Sequence, residues 1–206
     1  MSDRQAGALI ISNIGVLEEV AHHAEEVEKS VFGEIDRLIS EWTEKKGWEG
    51  KSEFYEEEDT WFAPATWRKP NGNQDDYHAF YCWEFDDSAD DTWYLSSLVG
   101  AAKGRSGFRL KVEHSAFGVS RWDWKSFAGS KLGDYPQLQE AGFLYTSGDW
   151  FLPWRLDIKK LADAYKEDVL VDALDPVRTA LKTIDAAHPF FDQLVKQAAL
   201  ELQARK

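Results

Sequence analysis

The chain has 206 residues, with 24 Lys/Arg against 37 Asp/Glu for a formal net charge of −13, and 43% of them are hydrophobic. That length can bury a substantial core and that apolar content belongs to a folded chain. The acidity argues against direct nucleic-acid binding, because grip on a phosphate backbone depends on Lys and Arg displacing counterions.

Residues 1–8 read as a loose lead-in. From Asn13 to Lys46, Leu17, Val20, Ala24, Val27, Val31, Ile35, Leu38 and Trp42 recur at three- and four-residue steps, which predicts helix. Ser12 or Asn13 can cap its start and Gly47 its end. An unbroken helix of this length runs roughly 50 Å at about 1.5 Å per residue, more than the width of a small sheet. Either it breaks near Ser30–Gly33 into a helix pair, or one end projects as an arm that can pair with another molecule, a second copy included. Glu18, Glu19, Glu25, Glu26, Glu28, Glu34 and Glu41 make its outer face acidic.

Residues 47–59 form a connector or short strand that ends in Glu56-Glu57-Glu58-Asp59. Residues 60–98 then read as a three-stranded meander. Tyr77, Ala79, Tyr81, Trp83 and Phe85 alternate with His78, Phe80, Cys82 and Glu84; Asn71-Gly72 signals a hairpin, and Trp93-Tyr94-Leu95 supplies the third strand. Pro64 has no amide to donate, so the first strand is expected at an edge or with a bulge. Both faces of the middle strand are bulky, which calls for helices on each side or for an exposed aromatic surface.

Beyond the meander, Gly100 to Gly107 reads as a flexible connection carrying Lys103 and Arg105, and 108–114 as an amphipathic strand with a basic outer face. Helices are expected from Arg121 to about Leu132 and from Tyr135 to Ala141, then a hairpin turning at Ser147-Gly148 with Pro153 on an edge strand. Asp157 caps a helix through Lys166, and Asp175-Pro176 opens one to about Ala187. His188-Pro189 is expected to break the chain before a last helix over 190–203. Strands and helices segregate, so the fold class is α+β: a long N-terminal helix, a mainly antiparallel meander sheet with a second hairpin, and C-terminal helices. The chain reads as one domain over 1–206, with a helical arm or pair at 13–46, a sheet region at 53–155 and C-terminal helices at 157–204.

The one cysteine, Cys82, cannot close an internal disulfide, and no secretory leader opens the chain, so a reducing cytoplasm is the expected location. ALIISNIGVL at 8–17 is too short and polar for a membrane span.

Most motifs that carry chemistry are incomplete. Asp86, Asp87, Asp90 and Asp91 offer oxygen ligands but miss the glycine and the final glutamate of an EF-hand loop. Four carboxylate-x-lysine triplets, at Glu44, Glu49, Asp123 and Asp157, raise a metal-dependent phosphodiesterase or nuclease-like enzyme, or its inactive relative, yet none lies on the third meander strand. The loop Gly100-x-x-x-Gly104-x-x-Gly107 can cradle a phosphate or carboxylate, but it lacks the Gly-Lys-Ser/Thr of a Walker loop and a helix directly after it. Glu19 and His22 form a single E-x-x-H where a di-iron bundle needs two. No G-x-S-x-G elbow occurs, and Cys82 reads as a core residue. Ten tryptophans suit core packing first and sugar stacking second. No metal or cofactor is expected.

Charge is distributed unevenly. Residues 1–92 carry 8 Lys/Arg and 23 Asp/Glu, a net of −15, whereas 93–206 carry 16 and 14, a net of +2. The reading that follows is an acidic interaction or regulatory module rather than an enzyme. Its N-terminal carboxylates (Glu25, Glu28, Glu56, Glu57, Glu58, Asp86, Asp87, Asp90 and Asp91) would face a basic protein partner, with nucleic-acid mimicry as one form of this.

Overall fold

The structure, a computed structural model, describes residues 3–69, 77–86, 93–101 and 103–203. The expected long helix is present as α2 (Ile14–Lys46), 33 residues without a break. Gly47 closes it at φ 65 and ψ 29, the left-handed geometry that glycine adopts without a Cβ clash. Asn13 precedes it without a side-chain cap and donates backward to the Leu9 carbonyl at 2.8 Å. The reading of the first residues as loose is corrected: Asp3–Ser12 form a helix, α1, with no buried residue. Burial on α2 begins at Val31, so α1 and the first turns of α2 project as an arm.

The sheet has six strands: β1 (Glu49–Glu53), β2 (Asp59–Ala63), β3 (Ala79–Asp86), β4 (Arg105–Val112), β5 (Leu144–Thr146) and β6 (Asp149–Pro153). Their order is β1-β2-β3-β4-β6-β5 and every neighbouring pair is antiparallel. A four-residue helix, α3 (Phe54–Glu57), links β1 to β2. The expectation of a strand at Trp93-Tyr94-Leu95 is wrong, for Tyr94–Leu98 form a short helix, α4. In α4 Tyr94 stacks on Phe85 at 5.0 Å and Leu98, one turn on along the same helix face, is fully buried. The third meander strand is β4.

Both proline expectations need revision. Pro64 follows β2, and β1 is the edge strand beside it. Pro153 lies on the interior strand β6, opposite Gly107 of β4 and beyond the residues that β5 reaches, so it interrupts no ladder bond on that side. The second hairpin turns at Ser147-Gly148 with φ of 52 and 99, the paired positive values that suit a two-residue turn. The Asn71-Gly72 reversal lies outside the described residues.

The remaining helices are α5 (Arg121–Ser130), α6 (Pro136–Glu140), α7 (Ile158–Lys166) and α8 (Asp175–Gln203). Asp157 caps α7, accepting from the Lys160 amide at 2.8 Å. No break occurs at His188-Pro189: α8 continues through Pro189. Proline costs a helix interior about 3 kcal/mol. Burial on both sides opposes that cost: His188 packs at 4.8 Å from Trp48 and 5.1 Å from Trp67, and Phe191 meets Trp150 at 5.8 Å.

α2 and α8 cover one face of the sheet. Phe32 stacks on Trp83 at 5.4 Å and Phe191 meets Tyr81 edge-on at 6.0 Å. The opposite face bears a lattice of ion pairs: Arg109 reaches Glu84 at 2.7 Å and Asp86 at 3.0 Å, Arg105 reaches Asp86 at 2.6 Å, and Lys111 pairs with Glu84. Cys82 is buried beneath them, where burial pushes its thiol far above the ordinary range and leaves it a core residue. No described helix is long and apolar enough to cross a membrane.

Candidate functional site

Of the nine carboxylates selected from sequence, three meet in one place. Glu28 comes from α2, Glu56 from α3 and Glu58 from the turn after it, and together with Phe32, Phe54, Tyr55 and Tyr94 they line a recess of about 460 Å³. No lysine or arginine is among the described residues lining it. Its floor is aromatic: Phe54 lies 5.5 Å from Phe32, 4.3 Å from Trp83 and 5.5 Å from Tyr94.

Each element is held where the recess needs it. Glu28 accepts from the Leu95 amide at 3.3 Å, fastening α4 to α2. Asp36, in the buried half of the same helix, accepts from Thr60 Oγ1 at 3.0 Å and from the Tyr55 amide at 3.4 Å. Glu53 gives α3 no side-chain cap, so the cap arrives from α2 through Asp36. Burial holds the Asp36 carboxyl above its ordinary range, against the opposing pull of those hydrogen bonds.

Two further features mark the recess: the environment of the Tyr94 hydroxyl and the backbone at Glu58. Burial, and then the carboxylates of Glu58 and Glu28, push the Tyr94 hydroxyl up from its usual value. Glu58 sits at φ 51 and ψ 29, a left-handed conformation that favours glycine or asparagine and costs other residues about 1–2 kcal/mol. A glutamate in that position sets its side chain at the rim.

The other selected carboxylates lie elsewhere. Glu25 is exposed on the arm, one turn before Glu28. Glu57 pairs with Lys51, which also meets Glu53 at 3.2 Å and Asp59 at 3.5 Å. Asp86 belongs to the ion-pair lattice on the far face. Asp87, Asp90 and Asp91 lie outside the described residues.

The carboxylate-x-lysine triplets serve local structure. Asp123 completes a capping box with Ser120, Asp157 caps α7, Glu49 accepts from the Tyr77 hydroxyl at 2.6 Å and pairs with Arg68, and Lys46 pairs with Asp185 at 2.5 Å. Among the described residues, no group of three His, Cys, Asp or Glu side chains is placed to hold a metal ion. Of the ten tryptophans, Trp93 and Trp122 are largely exposed and the others are packed, so the aromatic excess serves the core.

The aromatic walls and Asp36 are not among the residues selected from sequence. Phe54-Tyr55 stood in a connector, and Tyr94 was assigned to a strand. Comparison with known proteins returned no matching family model, no matching curated protein and no matching solved structure.

Proposed function

We propose that this protein is an interaction module that binds a basic protein partner, and that the acidic aromatic recess receives a lysine or arginine side chain of that partner. The observation that supports the reading is the convergence of Glu28, Glu56 and Glu58 on aromatic walls with no cation among the lining residues. Carboxylates pair with the charged head, while aromatic faces attract the cation and cover its apolar stem. The exposed Glu25 and its neighbours on the arm add a field that steers a basic surface toward the recess.

The test is titration of the protein with an oligolysine peptide and an oligoarginine peptide at about 0.1 M and about 1 M salt, where screening lengths are roughly 10 and 3 Å. Saturable binding at low salt that weakens at high salt, and that falls at least about tenfold in the E28Q/E56Q/E58Q variant, supports the reading. Salt-independent binding, or full affinity in that variant, overturns it.

A second reading concerns the arm. Leu17, Val20, Ala24, Val27 and Val31 continue the apolar stripe of the buried half of α2 outward, and Leu17 and Val20 are exposed. On heptad spacing the positions flanking this seam are Ile14, Val16, Ala21, His23, Glu28 and Ser30, while Glu18, Glu19, Glu25 and Glu26 point away from it. An identical acidic helix can therefore approach with little like-charge repulsion, and we infer that the arm pairs with the arm of a second copy. Sedimentation velocity is expected to show a dimer that L17E/V20E converts to monomer; a monomeric parent at all concentrations refutes the pairing.

A further inference from the structure

Exposed apolar surface gathers in two places on the molecule. Of fifteen large hydrophobic side chains that stand exposed among the described residues, seven lie on the arm within residues 9–20, and Trp93, Ile158 and Tyr165 line a groove at the arm's foot. The groove measures about 400 Å³, lies between α2, α4 and α7, and has no charged residue among its described lining residues. Residues 5–17 carry no charge either. These ten side chains present on the order of 1,000 Å² to solvent in each copy, against about 800 Å² per partner in a stable interface. A patch of that extent marks a surface that another body covers.

The two places are continuous. Val27 and Val31, the last members of the apolar stripe that runs down the arm, also form the α2 wall of the groove. Val31 is fully buried, so at the foot the body already covers the stripe. A parallel partner would bring its own body to that level, where two bodies compete for one space. An antiparallel partner brings its slender tip there instead. The spacing of the stripe suits that direction, because it is symmetric about His22: Val20 and Ala24 lie two residues to either side, Leu17 and Val27 five, and Asn13 and Val31 nine.

We infer that two copies pair with their arms antiparallel, and that the tip of each arm, residues 9–14, seats in the groove at the foot of the other. The inference rests on the arm pairing proposed above and adds to it a direction and a second docking surface. Val20 then meets Ala24 of the second copy and Leu17 meets Val27 of the second copy. Asn13, where α1 gives way to α2, falls level with Val31 of the second copy, and from there the tip passes onto α4 and α7. One two-fold operation covers both tips and fills both grooves, so the assembly closes at two. Seating an uncharged tip in an uncharged groove also takes no charge out of water. Parallel arms would leave both grooves open.

The test mixes I10C and A162C forms of the full chain, lets them exchange, and couples them with a short bismaleimide, peptide masses identifying the joined positions. Ala162 is exposed and lines the groove, whereas the native Cys82 is buried. The expected product joins position 10 of one copy to position 162 of the other. Coupling of 10 to 10 in its place, the mark of parallel arms, overturns the inference and leaves the arm pairing standing.

A second measurement is the dimer dissociation constant of Ile158→Asp, read by sedimentation velocity over a dilution series. Ile158 is the first residue of α7, 63% exposed and off the arm, and a carboxylate at a helix start is favourable, so the fold is kept. The constant is expected to rise at least about tenfold. An unchanged constant overturns docking in the groove, again without touching the arm pairing. A parent that is monomeric at all concentrations removes the arm pairing and this inference together. Binding of that monomer to phosphatidylcholine vesicles, lost in L17E/V20E, would assign the arm to lipid and overturn both.

Discussion

Asp36 tests how the acidic recess is held together. Its side chain, on a residue 7% exposed, is the acceptor for Thr60 Oγ1 at 3.0 Å and for the Tyr55 amide at 3.4 Å, with a further backbone bond from Phe54. Asp36→Ala removes all three and strands the Thr60 hydroxyl, on a residue 1% exposed. A hydrogen bond to a charged acceptor contributes about 1.5–3 kcal/mol and a stranded buried hydroxyl costs about 1–3 kcal/mol; relief of the buried charge offsets part of the sum. The net loss is about 3 kcal/mol. Asp36→Asn keeps an acceptor, lets Thr60 accept in turn, and removes the buried charge, so its cost at neutral pH stays within about 1 kcal/mol. The pH dependence has a definite sign: with a folded pKa above the unfolded 3.8, the folded chain holds more protons in that window. The contribution of Asp36 to stability therefore rises as pH falls from the raised value toward 3.8, and the asparagine variant lacks that rise. Urea unfolding followed by tryptophan fluorescence reads the midpoint and slope for each variant. An alanine variant that costs less than about 0.5 kcal/mol, or an asparagine variant as costly as alanine, would refute the capping role.

Glu58→Gly relieves left-handed strain but adds unfolded-state entropy, so stability is expected to stay within about 1 kcal/mol while oligolysine affinity falls; intact affinity would show that the rim carboxylate is not used. Tyr81 is fully buried and its hydroxyl has no partner among the described residues, so Tyr81→Phe is expected to stabilise the protein by about 1 kcal/mol in thermal melts. Destabilisation there would reveal an acceptor for that hydroxyl. Burial lowers the His188 pKa below the ordinary 6.5, outweighing the opposing pull of Asp192 and Asp185. Above pH 6.5 the ring is neutral in both states; as pH falls below it the unfolded chain takes up a proton first, and stability drops until the depressed folded value is reached. His188→Gln is expected to flatten the fall in melting temperature over that window, and an unchanged pH profile would count against the assignment.

The features legible in the sequence were those governed by neighbours along the chain. The apolar period of α2, Gly47 as its stop, the Asp157 cap and the Ser147-Gly148 turn each depend on a few adjacent residues, and all hold in the structure. Charge partition marked nine carboxylates, of which the fold gathers Glu28, Glu56 and Glu58 around one recess. Tertiary packing decided the rest. Burial of His188 between two tryptophans carries α8 through Pro189, and the stacking of Tyr94 on Phe85 turns a β-like triplet into helix. The acidic recess could not be read from local pattern, since it gathers side chains from α2, α3 and α4. Composition states which charges a chain owns, but only the fold brings them within reach of one another, as it does for Glu28, Glu56 and Glu58.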